Sequence, residues 1–71
     1  MELDAIIDTL RYANGQELPV RVVLRDGSEV LGIPTVVDLH ITAHEVFLRP
    51  VHDHETEIGI SIEAIASANL A

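Results

Sequence analysis

The chain has 71 residues and a mass of 7.8 kDa, the size of one domain spanning residues 1–71. Twelve Asp and Glu oppose four arginines and no lysine, a formal net charge of -8; a surface this negative repels phosphate backbones and disfavours generic nucleic-acid binding. There is no cysteine, so disulfides and thiolate metal sites are excluded, and no apolar run approaches the roughly 18 residues of a membrane span.

Residues 2–13 read as a helix. Leu3, Ile6, Ile7 and Leu10 fall at i, i+3, i+4 and i+7 and make one apolar stripe. Glu2, Asp4 and Asp8 lie off that stripe, and the acids favour the helix's N-terminal end. Asn14-Gly15 reads as the stop, because either residue tolerates a left-handed backbone.

Residues 19–70 read as a barrel. Val20, Val22 and Leu24 alternate with Arg21, Val23 and Arg25, which predicts a first strand. Asp26-Gly27 is a preferred pair for a two-residue type I′ turn, so a second strand should return antiparallel from Ser28. In that strand Gly32 lies two residues before Pro34, which donates no ladder hydrogen bond. The pair predicts a sharp bend or bulge, with residues 35–37 continuing the strand past the corner.

Residues 38–44 form a short strand or turn. Val46 and Leu48 share one face of the next strand, which ends at Pro50, and residues 52–55 make a polar turn. Ile58, Ile60 and Ile62 alternate with Glu57, Gly59 and Ser61; Glu63-Ala64 interrupts, and residues 65–70 form a last short strand. The expected class is mainly β with an N-terminal helix: a small five-stranded antiparallel barrel of the SH3-like or Sm-like kind, because closure removes exposed edges.

Few residues offer chemistry. His52 and His54 share a face of an extended segment flanked by Asp53 and Glu55, a spacing that suits zinc or nickel. Two histidines in a turn lack a third ligand and outer-shell partners, so a solvated turn is the favoured reading and weak metal binding the alternative. His40 and His44 are i, i+4, which pairs them only on a helix. Ser28, Ser61 and Ser67 sit on no nucleophile elbow, there is no glycine-rich phosphate loop, and so small a barrel has little room for a cleft. Neither an enzyme nor a cofactor is expected. Arg21 and Arg25 share a strand face, where Glu29 or Glu45 is the expected cross-strand partner.

The segments VRVVLRDG, Gly32, Asp38, Gly59 and IEAIASANL resemble the pattern of an Sm-like small barrel. Within that group the spacing is most similar to the Rho-binding antiterminators, small acidic proteins that bind the transcription terminator Rho and block its access to RNA. LRDG, Asp38-Leu39, and Glu55-Thr56 through Ile65 and Ser67 carry that similarity. Sm-like proteins that bind RNA usually carry an Asn a few residues after the loop Asp and an Arg just before the later Gly. Here Leu39, His40 and Ile41 follow Asp38, and Glu57 and Ile58 precede Gly59.

The resemblance and the charge together imply a non-enzymatic module that docks on a protein, basic or itself RNA-binding, with Rho as the named case. The expected contacts are Asp4 and Asp8 on the helix and Asp38, His40 and His52 in the loops. The alternative is a self-assembling barrel. A chain this short buries only roughly 60% of its unfolded surface, so homo-oligomerisation is expected to support it. Residues 57–62 are its candidate edge. The acidic start, without a basic segment and long apolar block, makes the cytoplasm the expected location.

Overall fold

The apolar stripe at the start of the chain becomes helix α1, Glu2–Gln16, in the computed structural model, which describes residues 2–40, 42, 44–53 and 55–71. Ile6, Leu10 and Ala13 are buried along it. The helix runs past its expected end. Gly15 stays helical, and the residue with left-handed backbone is Glu17, at φ 55. The Leu18 N–H donates to the Ala13 carbonyl at 3.0 Å and the Glu17 N–H to the Asn14 carbonyl at 3.4 Å, which is a Schellman cap. Asn14 is occupied elsewhere: its Nδ2 donates to the Pro34 carbonyl at 2.9 Å, tying the last helical turn to the sheet.

Five strands follow: β1, Val20–Leu24; β2, Glu29–Asp38; β3, Glu45–Pro50; β4, Ile58–Ser61; and β5, Ile65–Leu70. All neighbours are antiparallel, in the order β4-β3-β2-β1-β5. The β1–β2 connection differs from the expected two-residue turn. The Leu24 N–H donates to the Ser28 carbonyl at 2.8 Å and the Gly27 N–H to the Leu24 carbonyl at 2.9 Å, so three residues form the loop. Only Gly27 is left-handed, at φ 92, whereas a type I′ turn needs positive φ at Asp26 too. Asp26 instead accepts from the Ser28 N–H at 2.9 Å and the Ser28 hydroxyl at 2.6 Å, which holds the wider loop.

The kink predicted in β2 is present. Its pairing with β3 slips between Pro34 and Val36, leaving Thr35 as the bulged residue. Gly32 lies against β3 so closely that a Cβ there would be 2.8 Å from the Arg49 carbonyl oxygen. The inward side chains are branched aliphatics: Val20, Val22, Val46, Leu48, Ile62 and Ile65 are fully buried, and Ile60 and Ala68 nearly so.

A three-residue 3-10 turn, Ile62–Ala64, joins the two edge strands. In a flat sheet those edges would stand four spacings apart, roughly 19 Å. Four residue steps span at most about 14 Å and about 8 Å in 3-10 geometry. The sheet therefore curls until its edges meet at that turn, which makes it a small barrel although β4 and β5 do not pair. Helix α1 packs against β2, β5 and the 3-10 turn.

Two glycine substitutions test this reading of the backbone. Gly15→Ala should stabilise the protein by about 0.5–1 kcal/mol, because the site is helical and open; were Gly15 the left-handed cap, the sign would reverse. Gly32→Ala should destabilise it by about 2–3 kcal/mol, because the obstructing atom is backbone. Urea denaturation of both variants measures the two effects.

Candidate protein-interaction site

The 3-10 turn gathers side chains from both neighbouring loops. From the β1–β2 loop, the Arg25 N–H donates to the Ala64 carbonyl at 2.9 Å and its Nε to the Glu63 carbonyl at 2.7 Å. From the β2–β3 loop, the His44 carbonyl accepts from the Ile62 N–H at 3.1 Å. His44 Nδ1 donates to Glu63 Oε1 at 2.6 Å, and the Ser61 hydroxyl donates to Glu63 Oε2 at 3.1 Å. His44 is held with left-handed backbone, φ 42, and its N–H donates to the His40 carbonyl at 2.8 Å. Asp38 Oδ1 accepts from the His40 N–H at 3.0 Å.

One hydrogen-bonded corner thus runs from Asp38 through His40 and His44 to Glu63 and Ser61. The Ser61 hydroxyl, then His44, hold the Glu63 carboxyl below its ordinary range. The hydroxyl and then the N–H of Ser28 do the same for Asp26.

Of the five anticipated contact residues, this corner unites Asp38 and His40. His52 is exposed in the turn after β3, whereas Asp38 opposes Glu45 at the other end of that strand, roughly 17 Å away at ordinary strand rise. The loops at Asp38 and His52 therefore do not form one surface. Asp4 and Asp8 occupy a third place, the exposed side of α1. The metal reading joined His52 to His54, which lies outside the described residues. Among the described residues no group of three or more metal-ligating side chains comes together.

Arg21 pairs with Glu29 at 3.4 Å, the cross-strand partner expected for it. Arg25 instead binds carbonyls of the 3-10 turn. The His44–Glu63 contact is not predicted by the sequence pattern. The signal was the register of β3 on β4: with Glu45 opposite Ser61, His44 meets the 3-10 turn.

The edge strands form a second candidate surface. An open groove of about 310 Å³ lies between α1 and β5, lined by Ala5, Ile6, Ala66, Ser67, Ala68 and Asn69. Small side chains line this side of β5, and β4, with the sequence IGIS, carries no charge. Neither strand bears the lysine or proline that commonly protects a sheet edge.

A helix followed by a kinked, curled five-stranded antiparallel sheet gives the chain the fold of an Sm-like small barrel. Among solved structures it is similar to the crystal structure of the pleiotropic translational regulator Hfq, with a TM-score of 0.71 and 17% identity over 90% of this chain and 86% of that one. No family model matches the sequence, and no curated protein matches it. No described helix is long and apolar enough to cross a membrane.

Glu63 and Asp26 both have folded-state values below their ordinary 4.5 and 3.8. Their contribution to stability is therefore complete above those ordinary values and is lost as pH falls through the lowered ones. Urea midpoints should drop between about pH 5 and about pH 3, and Glu63→Gln should flatten part of that drop. A variant whose midpoints run parallel to the parent's would show that the Glu63 carboxylate contributes nothing.

Proposed function

We propose that this chain is a non-enzymatic Sm-like interaction module that docks on a basic protein surface. The observation that carries the reading is charge. Twelve carboxylates face four arginines, and two of those arginines are engaged within the chain, Arg21 by Glu29 and Arg25 by the Glu63 carbonyl. What is left is a strongly acidic surface, which accelerates encounter with a cationic partner and repels phosphate. The residues after Asp38 and before Gly59, lacking the Asn and Arg usual in RNA-binding Sm-like proteins, support a protein partner over RNA.

Rho is the particular partner to which the antiterminator resemblance points. Asp4 and Asp8 on α1, the Asp38–His40 corner, and His52 separately are the contacts assigned to the docking. Purified Rho tested by calorimetry should bind, and affinity should fall at least about tenfold between about 50 and 300 mM salt, as screened charge contacts require. Asp4→Asn with Asp8→Asn should weaken binding further. A purified chain that binds RNA oligonucleotides and no protein would overturn the reading.

A second reading has an observation of its own. The two free edges differ, β4 uncharged, β5 beside a groove of small side chains. Such edges fit head-to-tail pairing between copies, which closes into rings. Light scattering should then give a mass several times that of the chain, and Ala66→Lys, a charge on the exposed β5 edge, should return it to monomer. A monomer at millimolar concentration would remove this reading.

A further inference from the structure

The side of the sheet turned away from the core carries an apolar cluster outside that core. On β3, Val46 and Leu48 are fully buried, so Phe47 and Arg49, which alternate with them, face the other way. On β2, buried Gly32 and Pro34 and core-packed Val30 and Val37 point inward. Leu31, Ile33 and Val36 therefore share the outer face with Phe47 and Arg49.

Cross-strand register makes these residues contiguous: Ile33 is opposite Arg49, Val36 opposite Phe47, and Phe47 opposite Gly59. The Phe47 ring lies over Gly59, with its Cε2 3.0 Å from where a Cβ would sit. Leu31 and Val36 keep 37% and 47% of their surface exposed. The chain's single phenylalanine, the largest apolar side chain it has, thus lies outside its core.

Arg49 completes the cluster. It forms no ion pair among the described residues, and its Nε is buried without a hydrogen-bond partner. An aromatic ring beside an arginine, ringed by aliphatics, is the composition of an interface centre. The rim is acidic. Glu29 and Glu45 share the outer parity of their strands, and Glu57 accepts from the hydroxyl of the bulged Thr35 at 2.9 Å.

We propose that this outer sheet face docks a basic protein segment bearing apolar side chains, with Phe47 and Arg49 at its centre and Glu29, Glu45 and Glu57 at its rim. The proposal rests on the basic-partner reading above and adds the face and the apolar requirement. With Glu29 already paired to Arg21, Glu45 and Glu57 still leave the rim net negative around the Arg49 guanidinium, which favours a cationic partner over an acidic one. The remaining Arg49 donors then serve backbone carbonyls of the bound segment.

The probe is a fluorescein-labelled 12-residue peptide of alternating lysine and leucine, compared by anisotropy with a lysine–glycine peptide of equal charge. The lysine–leucine peptide should bind at least about tenfold tighter than the control. Phe47→Ser should remove most of that advantage. The double variant Leu31→Ser with Val36→Ser, at positions already half in solvent, should do so too, with circular dichroism verifying its fold. Tyr12→Ser, which removes an exposed aromatic from α1, should change affinity by less than about twofold.

Equal binding of the two peptides, or indifference to the outer-face variants, would overturn this proposal and leave the basic-partner reading standing. Binding of neither peptide would overturn both.

Discussion

Everything in this protein depends on joining the two edges of a five-stranded sheet with three residues. A connection that short cannot bridge a flat sheet, so β2 has to bend where Gly32, Pro34 and the bulged Thr35 stand. Each part of that bend has a partner. Gly32 admits the β3 backbone, the Pro34 carbonyl is taken by Asn14 from α1, and the Thr35 hydroxyl reaches the Phe47 carbonyl and the Glu57 carboxylate. Arg25 and His44 then fasten the neighbouring loops to the 3-10 turn. Closure is achieved by a turn and its side-chain contacts rather than by a β4–β5 ladder, and so the device that curls the sheet also leaves both edges open.

The bend also determines which side chains the interior can take. Its space is shared by α1 and the inward residues of five short strands, and valine, isoleucine, leucine and alanine fill it. Both aromatic residues lie outside, Tyr12 on the helix surface and Phe47 on the outer sheet face. In so small a chain, where each buried aromatic contributes heavily to stability, an unused phenylalanine is informative about what the outer face does.

The parts of the fold legible in the sequence were those governed by local period. Alternation along β1, β3 and β4 identified the strands and their inward residues, and Gly32 with Pro34 located the kink, because these signals depend on side-chain pattern and backbone chemistry alone. The misread parts depend on side-chain contacts that a local pattern does not rank, most of them between residues distant in sequence. Asn14 looked like a helix stop because its bond to Pro34, twenty positions on, is invisible locally. Asp26-Gly27 looked like a two-residue turn because the Ser28 contacts that widen the loop compete with the usual preference. The Asp38–His40–His44–Glu63 corner emerges only once β3 is placed in register on β4. The separation of His52 from Asp38 follows from that placement as well.

The likeness to a translational regulator at 17% identity concerns the backbone path, and function resides in what the surface adds to it. Here that surface divides between two ranges of force. Carboxylates on α1 and in the loops act over a Debye length of roughly 8–10 Å and, in the proposed docking, govern how often a cationic partner arrives. Apolar contact at Phe47 and its neighbours acts only on touching and, in that docking, governs how long the partner stays. An acidic surface alone would attract any cation, and an apolar patch alone would attract any exposed chain. In the docking proposed above, the two act together, with a guanidinium that finds no carboxylate of its own, to favour a partner that is basic at its border and apolar at its centre.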